Sequence, residues 1–230
     1  MSADAIATRA RIKARFDELG LALDAIKIQQ LTEYFCLLAK WNTKMNLTAL
    51  PVAGASDSAI DRLLVEPIVA SKLVRDGDEL ALDLGSGGGS PAFPLKIGAP
   101  HLRMVLVESK QRKCAFLREV VRALALSGIE VANTRFEALP SRSDVAGQAD
   151  LVSFRAVRTD DSLWATTAGL LKPGGRAFWF GGPEGAKPDL VSPESGAKPS
   201  SSRLELVSSH VLVPASASGE GSRLAILQRN

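Results

Sequence analysis

The strongest chemical signal in the sequence is a glycine-rich turn that directly follows an apolar segment, LDLGSGGGSP at residues 82–91. Glycines let the backbone turn sharply and let a ligand approach it closely. A second apolar segment ends in Glu108, 23 residues after Gly85. In an open parallel sheet, ligands bind outside the carboxyl ends of the strands, and a carboxylate there can accept both hydroxyl groups of a ribose. The pattern predicts a site for a nucleoside-containing cofactor, and a flexible turn without a ligand is the alternative.

The spacing of the glycines discriminates among cofactors. The dinucleotide-binding fingerprint is G-x-G-x-x-G/A, whereas this turn reads G-S-G-G-G-S-P. The turn also lacks the Gly-Lys-Ser/Thr ending of a phosphate-binding P-loop. Asp83 stands just before the turn, where an acidic residue disfavours a pyrophosphate and suits a cation. Charge complementarity therefore favours S-adenosylmethionine, which carries a sulfonium and an ammonium group. A dehydrogenase is the weaker alternative.

Seven short apolar segments predict the strands that must position this turn. They are residues 80–85, 104–109, 129–134, 149–154, 174–180, 206–213 and 223–229. Helical periodicity separates several of them, which is typical of a parallel sheet covered on both faces. The last two segments have no helix-length pattern between them and are predicted to pair antiparallel. We therefore expect an α/β, Rossmann-like fold with a mostly parallel seven-stranded sheet and an antiparallel last strand.

The sequence before residue 79 predicts helices. Apolar residues recur there at intervals of three or four, in a first helix that includes Ile6 and stops at Gly20, a second, and a third after Asp57. We divide the chain into an N-terminal helical annex, residues 1–78, and a cofactor-binding α/β domain, residues 79–230. Residues 183–203, of which eleven in 21 are Pro, Gly or Ser, are predicted to be a mobile low-complexity insertion.

Composition sets the broad class of the protein. The chain has 230 residues, 46% hydrophobic and 23% charged, an ordinary globular balance, and a net charge of +3 that does not by itself indicate nucleic acid. Two cysteines, Cys36 and Cys114, are too few for a disulfide framework or a zinc cluster, so we expect no metal. No apolar run approaches the roughly 18–20 residues that span a bilayer. We expect a cytoplasmic monomer without a membrane partner.

Five segments, in order and at matching spacing, carry a resemblance to a known family. They are WNTKMNLTAL (41–50), LDLGSGGGSPAFPL (82–95), ESKQRKCAFLREV (108–120), TRFEALP (134–140) and SFRAV (153–157). They resemble the GidB/RsmG family of bacterial methyltransferases across about residues 25–182. That resemblance implies a class I fold, S-adenosylmethionine as cofactor, and methylation of guanine N7 in small-subunit 16S ribosomal RNA. The partner would be this RNA or a ribosomal particle.

The glycine turn and the resemblance together assign candidate site residues. The candidate cofactor-binding residues are Asp83, Gly85, Gly87, Gly89, Ser90, Glu108, Phe136, Glu137 and Arg155. The resemblance implies that Glu108 holds the ribose and that backbone groups at Phe136 and Glu137 frame the adenine. Arg155 is also the candidate catalytic residue, which would orient the target base or a phosphate. A structural arginine paired with Asp83 or Asp150 is the alternative.

The sequence departs from the family in the third predicted helix. Arg62 stands where histidine is common, and Val65 stands where aspartate is common. Ser90 likewise replaces a bulkier residue. These departures leave open how the third helix shapes the site.

The chemistry and the substrate make different demands on the sequence. Guanine N7 has an exposed lone pair and no proton, so methyl transfer needs no general base, and catalysis would come from proximity and orientation.

Seven Lys and Arg occur beside three Glu between residues 101 and 135. The candidate RNA-binding residues there are Lys110, Arg112, Lys113, Arg118 and Arg122. A solvated face of the predicted helix, which would begin at Ser109 and stop at Gly128, is the alternative reading of this basic run.

Two other functions are compatible with the same sequence features. One is a methyltransferase with a small-molecule or protein acceptor. The other is a nucleotide-binding module without chemistry.

Overall fold

The computed structural model describes residues 2–181, 204–213 and 221–230. In these residues seven strands form one sheet. They are β1 (Leu80–Leu84), β2 (Arg103–Val107), β3 (Ile129–Ala132), β4 (Ala149–Arg155), β5 (Leu171–Phe180), β6 (Leu204–Val213) and β7 (Ser222–Arg229). Their order is β3-β2-β1-β4-β5-β7-β6. The strands β1 to β5 pair in parallel, and β7 is antiparallel to both of its neighbours. The predicted sheet, including its reversed last strand, is confirmed.

Helices cover both faces of this sheet. They are α1 (Ala3–Glu18), α2 (Ala25–Asn42), α3 (Asp57–Ile60), α4 (Glu66–Ser71), α5 (Ala92–Gly98), α6 (Gln111–Ala123) and α7 (Asp161–Leu170). A π-helical turn, Asp61–Val65, joins α3 to α4, and a 3-10 helix spans Phe136–Ser141. All five residues of β1 are buried, as expected for a parallel strand covered on both faces.

The N-terminal helices begin and end at residues with a clear physical role. The side chain of Ser2 accepts the Ala5 N–H at the start of α1, and Asp24 accepts the Lys27 N–H at the start of α2. Gly20, with φ of +67°, follows α1 and ends it as predicted. The predicted apolar stripe of α1 is only partly buried, because Ile6 remains 59% exposed.

The predicted limits of the basic helix are wrong. Helix α6 has Lys110, not Ser109, at its N-cap position, because the adjacent Glu108 carboxylate accepts the Lys110 N–H. The helix ends at Ala123, and Ala125 turns the chain with φ of +49°. Gly128 lies beyond this turn and leads into β3.

Two apolar cores lie on the two sides of the sheet. One joins the N-terminal helices to the sheet through large buried side chains such as Phe35, Phe93 and Phe116. The other contains Phe154 and Trp164, whose ring centroids are 5.7 Å apart. The helices before β1 therefore share a core with the sheet that carries the glycine turn.

All of the predicted insertion, residues 183–203, lies outside the described residues. Within the described ranges, no helix combines the length and apolar character needed to cross a membrane. The same ranges contain no group of three or more His, Cys, Asp or Glu side chains arranged to hold a metal ion.

Candidate active site

The glycine turn after β1 is a close-packed structure with a defined backbone. Gly85, Gly87 and Gly89 have φ values of +70°, +50° and +84°, which side-chain-bearing residues rarely adopt. A Cβ on Gly85 would lie 2.9 Å from Val157, and one on Gly89 would lie 2.4 Å from the Phe93 ring. Gly85 and Gly89 therefore need glycine for both conformation and space, whereas Gly87 needs it for conformation alone.

Glu108 joins the end of β2 to this turn. Its Oε2 accepts the Gly87 N–H at 3.1 Å, and its Oε1 accepts the Lys110 N–H at 2.7 Å. The amide of Asn133, just after β3, donates to the Glu108 carbonyl at 3.1 Å. An ionised carboxylate has about four lone-pair sites, so Glu108 keeps acceptor capacity beyond these bonds. The sequence predicted the proximity of Glu108 to the turn but not its hydrogen bonds to the backbone.

Asp83 is a buried carboxylate at the end of β1. Its Oδ1 accepts the Ser153 hydroxyl at 2.6 Å, while its Oδ2 is buried and has no hydrogen-bond partner among the described residues. Burial raises the pKa of Asp83 to about 6, although the hydroxyls of Ser153 and Ser86 oppose this change. A cationic ligand group would favour the ionised form. The unpartnered oxygen thus fits the cationic cofactor that the sequence suggested.

The remaining predicted cofactor residues, apart from Arg155, come after β3 or at the end of the glycine turn. Phe136 and Glu137 begin the 3-10 helix that comes shortly after β3, with Phe136 packed against the core and Glu137 exposed. Ser90 lies at the end of the glycine turn, and its hydroxyl donates to the Leu63 carbonyl at 2.9 Å. Ser90 therefore links the turn to the π-helical segment.

Arg155 ends β4 and is held by the N-terminal helices. Its Nη2 lies 2.7 Å from Oε2 of Glu66, and its Nη1 donates to the Arg62 carbonyl. The guanidinium lies over the Phe180 ring, 4.8 Å from the centroid. Burial lowers the pKa of Arg155 to about 10, even though the carboxylate of Glu66 raises it.

The alternative in which Arg155 pairs with Asp83 or Asp150 is wrong, because its ion-pair partner is Glu66. Asp150 lies at the other end of β4, where it pairs with Lys172, and Asp83 is bonded to Ser153. Sequence reasoning missed Glu66. The signal was a lone Glu-Pro pair inside the apolar segment LLVEPIV at residues 63–69.

A second missed residue is Tyr34, the one tyrosine in the chain. Its side chain is buried in α2, and its hydroxyl donates to the Gly88 carbonyl at 2.8 Å. A Cβ on Gly88 would lie 3.2 Å from Leu38 of the same helix. Helix α2 therefore packs directly on the glycine turn and fixes one of its carbonyl groups.

The basic residues of α6 lie next to this turn and along the solvent side. Lys110 and Arg112 are exposed at the beginning of the helix. Lys113 extends towards the turn, with its Nζ 3.9 Å from the position of a Cβ on Gly87. Arg118 and Arg122 are also exposed, as predicted, and each has a partner: Arg118 donates to the Val131 carbonyl at 3.1 Å, and Arg122 pairs with Glu119 at 2.8 Å.

A cavity of about 320 Å³ lies at the opposite edge of the sheet and is lined in part by Asp78 and Asp150. Asp78 pairs with Arg176 at 2.6 Å, and Asp150 pairs with Lys172. Both carboxylates are therefore neutralised by neighbouring cations. The glycine turn, Glu108 and Arg155 all follow the carboxyl ends of adjacent strands, which is where ligands bind in this type of sheet.

This arrangement defines the general class of the protein. A mostly parallel seven-stranded sheet with one reversed strand carries a glycine turn after β1 and a carboxylate after β2. The adjoining buried carboxylate of Asp83 fits a cationic nucleoside ligand. The fold and the site are those of a class I S-adenosylmethionine-dependent methyltransferase.

Comparison with known proteins gives the family. The model of the GidB family, described as rRNA small subunit methyltransferase G, matches residues 27–195, and the chain belongs to that family. Ribosomal RNA small subunit methyltransferase G of Carboxydothermus hydrogenoformans is 37% identical over 190 residues, which cover 82% of this chain and 79% of that protein. The protein of the same name from Stenotrophomonas maltophilia strain K279a is 40% identical over 163 residues, or 69% and 72% of the two chains.

A solved structure shows the same fold at much lower sequence identity. It is described as a predicted O-methyltransferase from Agrobacterium tumefaciens, and the TM-score is 0.52 at 14% identity. The match covers 73% of this chain and 81% of that one. Family and fold together establish that the chain is a methyltransferase that uses S-adenosylmethionine.

Proposed function

We propose that this enzyme transfers a methyl group from S-adenosylmethionine to N7 of a guanine in small-subunit (16S) ribosomal RNA. The family supports the RNA acceptor, since its members are described as rRNA small subunit methyltransferases. The observation that carries the proposal is the composition of the site at the ends of β2, β1 and β4. Glu108, Asp83 and Arg155 occupy these ends, and each is already bonded to neighbouring protein groups.

The positions of the histidines support N7 as the acceptor atom. His101 precedes β2 and so lies at the opposite edge from the glycine turn, and His210 lies in β6, the outermost strand. N7 presents a lone pair and needs no deprotonation, so a site whose described residues include no histidine suits it. When bound, S-adenosylmethionine supplies an electrophilic methyl group: the N7 lone pair forms the new C–N bond, and the electron pair of the breaking C–S bond stays on sulfur.

The cofactor-binding roles follow from the geometry of the turn. The backbone at Gly85, Gly87 and Gly89 would lie against the cofactor, with Ser90 closing the turn. Glu108 would accept the ribose hydroxyls with its remaining lone pairs. Phe136 and Glu137 would border the adenine, and Asp83 would face the positive end of the cofactor.

Arg155 is proposed as the catalytic residue, in the sense of contact with the reacting groups. Its side chain is held by Glu66, the Arg62 carbonyl and the Phe180 ring. The Nε of Arg155 has no hydrogen-bond partner among the described residues. This atom is buried, so a hydrogen bond from it to the target base or the cofactor would need the surrounding side chains to move when they bind. Such fixed geometry favours orientation of the reactants over proton transfer.

The proposed RNA surface begins beside the glycine turn. Lys110, Arg112 and Lys113 at the start of α6 would bind phosphates, and Arg118 and Arg122 would extend this surface along the helix. Phosphate contacts of this kind position an RNA without reading its sequence. We also propose that the enzyme acts as a monomer in the cytoplasm, and that the annex, residues 1–78, serves to hold the glycine turn and Arg155.

The decisive experiment maps the methylated atom. The enzyme is incubated with radiolabelled S-adenosylmethionine and, separately, with deproteinised rRNA, free small subunits and whole ribosomes. We expect label in small-subunit rRNA, at N7 of a guanine. Label at another atom would refute the N7 assignment, and transfer to protein or a small molecule with none to RNA would refute the rRNA acceptor.

A further inference from the structure

The π-helical turn between α3 and α4 leaves two backbone carbonyls without helical donors, next to the proposed active site. The Glu66 N–H bonds to the Asp61 carbonyl, one residue further back than in an α-helix. The next residue is Pro67, which has no N–H to donate. The Arg62 carbonyl therefore loses the Glu66 N–H, which bonds to Asp61 instead, and the Leu63 carbonyl loses the N–H that residue 67 would supply in an α-helix. They accept instead from Arg155 and from Ser90, respectively.

The same turn places a buried carboxylate between two guanidinium groups. Glu66 is 2% exposed; its Oε2 lies 2.7 Å from Arg155, and its Oε1 lies 3.4 Å from Nη1 of Arg62. One negative charge is thus shared by two positive charges, which leaves a surplus positive charge at this point. Arg62 carries the accessible part of it, because its side chain is 39% exposed and that of Arg155 is 9% exposed.

Arg62 lies at the carboxyl edge of the sheet, beyond the proposed cofactor site. Its Nη2 is 2.8 Å from the position of a Cβ on Gly181, the residue that follows β5. In the strand order β3-β2-β1-β4-β5, the proposed cofactor residues other than Arg155 lie at or after the ends of β3, β2 and β1. The acceptor would then lie at the ends of β4 and β5, where Arg62 lies beside Arg155.

We propose that Arg62 binds a phosphate of the RNA next to the target nucleotide and that Glu66 is its positioning residue. This inference rests on the proposed RNA substrate. Guanidinium groups bind phosphate with two parallel hydrogen bonds and stay charged at all physiological pH values. A histidine at this position would be largely neutral above its ordinary pKa of about 6.5. Arginine gives this chain a permanent charge at the acceptor side.

The test compares RNA binding across a salt titration for wild type, Arg62→Gln, Arg62→Lys and Arg11→Gln. Arg11 is a matched control, since it is 53% exposed and pairs with a carboxylate of the neighbouring helix, Asp57. With deproteinised small-subunit rRNA, Arg62→Gln should lower the log–log salt slope by roughly 0.7–0.9, the share of one phosphate contact. Arg62→Lys and Arg11→Gln should keep the wild-type slope, and all variants should bind S-adenosylmethionine as wild type does.

The positioning role of Glu66 is tested by steady-state kinetics. Glu66→Gln should raise the KM for RNA, and the double variant with Arg62→Gln should show no higher KM than Arg62→Gln alone, because both changes act on KM through Arg62. Loss of the Glu66 pair with Arg155 should appear in kcat instead. An additive rise in KM would overturn the positioning role. A merely structural Glu66 would lower thermal stability and leave the KM of the folded fraction unchanged.

The Arg62 proposal can be tested even if Arg62→Gln does not fold. In that case Arg62→His replaces it. The imidazole of this variant would face Glu66 and Arg155. The salt slope of its RNA binding should approach that of wild type at about pH 5.5, where the imidazole is charged, and fall at about pH 8.5, where it is neutral. An unchanged slope in a folded Arg62→Gln that still binds cofactor would overturn the proposal. A wild-type enzyme that does not methylate the RNA would instead refute the proposed function.

Discussion

Replacement of Asp83 by asparagine should change how the stability of the protein depends on pH. Burial raises the pKa of Asp83 from its ordinary value of 3.8 to about 6. The folded protein therefore binds this proton more tightly than the unfolded chain does. The resulting stabilisation is complete below about pH 3.8 and is lost as the pH rises through about 6. At about 1.4 kcal/mol per pKa unit, this group contributes about 3 kcal/mol over the whole range.

Urea unfolding of wild type and Asp83→Asn, without cofactor, measures this contribution. Linkage predicts that the stability of Asp83→Asn relative to wild type rises by about 2 kcal/mol between about pH 4.5 and about pH 7.5. Asparagine can still accept the Ser153 hydroxyl, and any constant packing cost cancels because values at different pH are compared. Asp76→Asn, at an exposed position, serves as the control and should keep the wild-type pH dependence. Parallel curves for wild type and Asp83→Asn would refute the reasoning.

Four further predictions test the site. Glu108→Ala should weaken S-adenosylmethionine binding by about 1.5–3 kcal/mol without unfolding the protein, and unchanged affinity in calorimetry would remove Glu108 from the site. Tyr34→Phe keeps the ring but leaves the Gly88 carbonyl without its donor, so it should lower the free energy of unfolding by about 1–3 kcal/mol, as thermal and urea unfolding would show. Charge reversal at Arg118 and Arg122 should reduce the salt slope of RNA binding by roughly 0.7–0.9 per lost phosphate contact; a normal slope would identify this part of α6 as a solvated surface. Arg155→Ala should lower methyl transfer at saturating RNA and cofactor, and wild-type turnover would exclude its catalytic role.

The elements of the fold could be predicted from the sequence because their signals are local. The seven apolar segments reappear as β1 to β7, and the glycine turn lies between β1 and α5. The antiparallel orientation of β7 could be predicted because the sequence between the last two apolar segments is too short to hold a crossover helix. Even so, helix limits shifted where a side chain outside the pattern intervened, as when Glu108 bonded the Lys110 N–H.

The contacts that complete the site were decided only in the tertiary structure. Tyr34 bonds to a carbonyl 54 residues away, Ser153 bonds to Asp83 across 70 residues, and Arg155 reaches the Arg62 carbonyl across 93. Periodicity reports which side of an element is buried, but it does not report which buried polar groups meet. Those pairings arise because a buried donor or acceptor without a partner is costly, and the available partner depends on how whole elements pack. In the π-helical turn, the shifted Glu66 N–H and Pro67 leave the Arg62 and Leu63 carbonyls without helical donors, which is a local effect. The donors that replace them, Arg155 and Ser90, are supplied by the packing of β4 and the glycine turn against this segment.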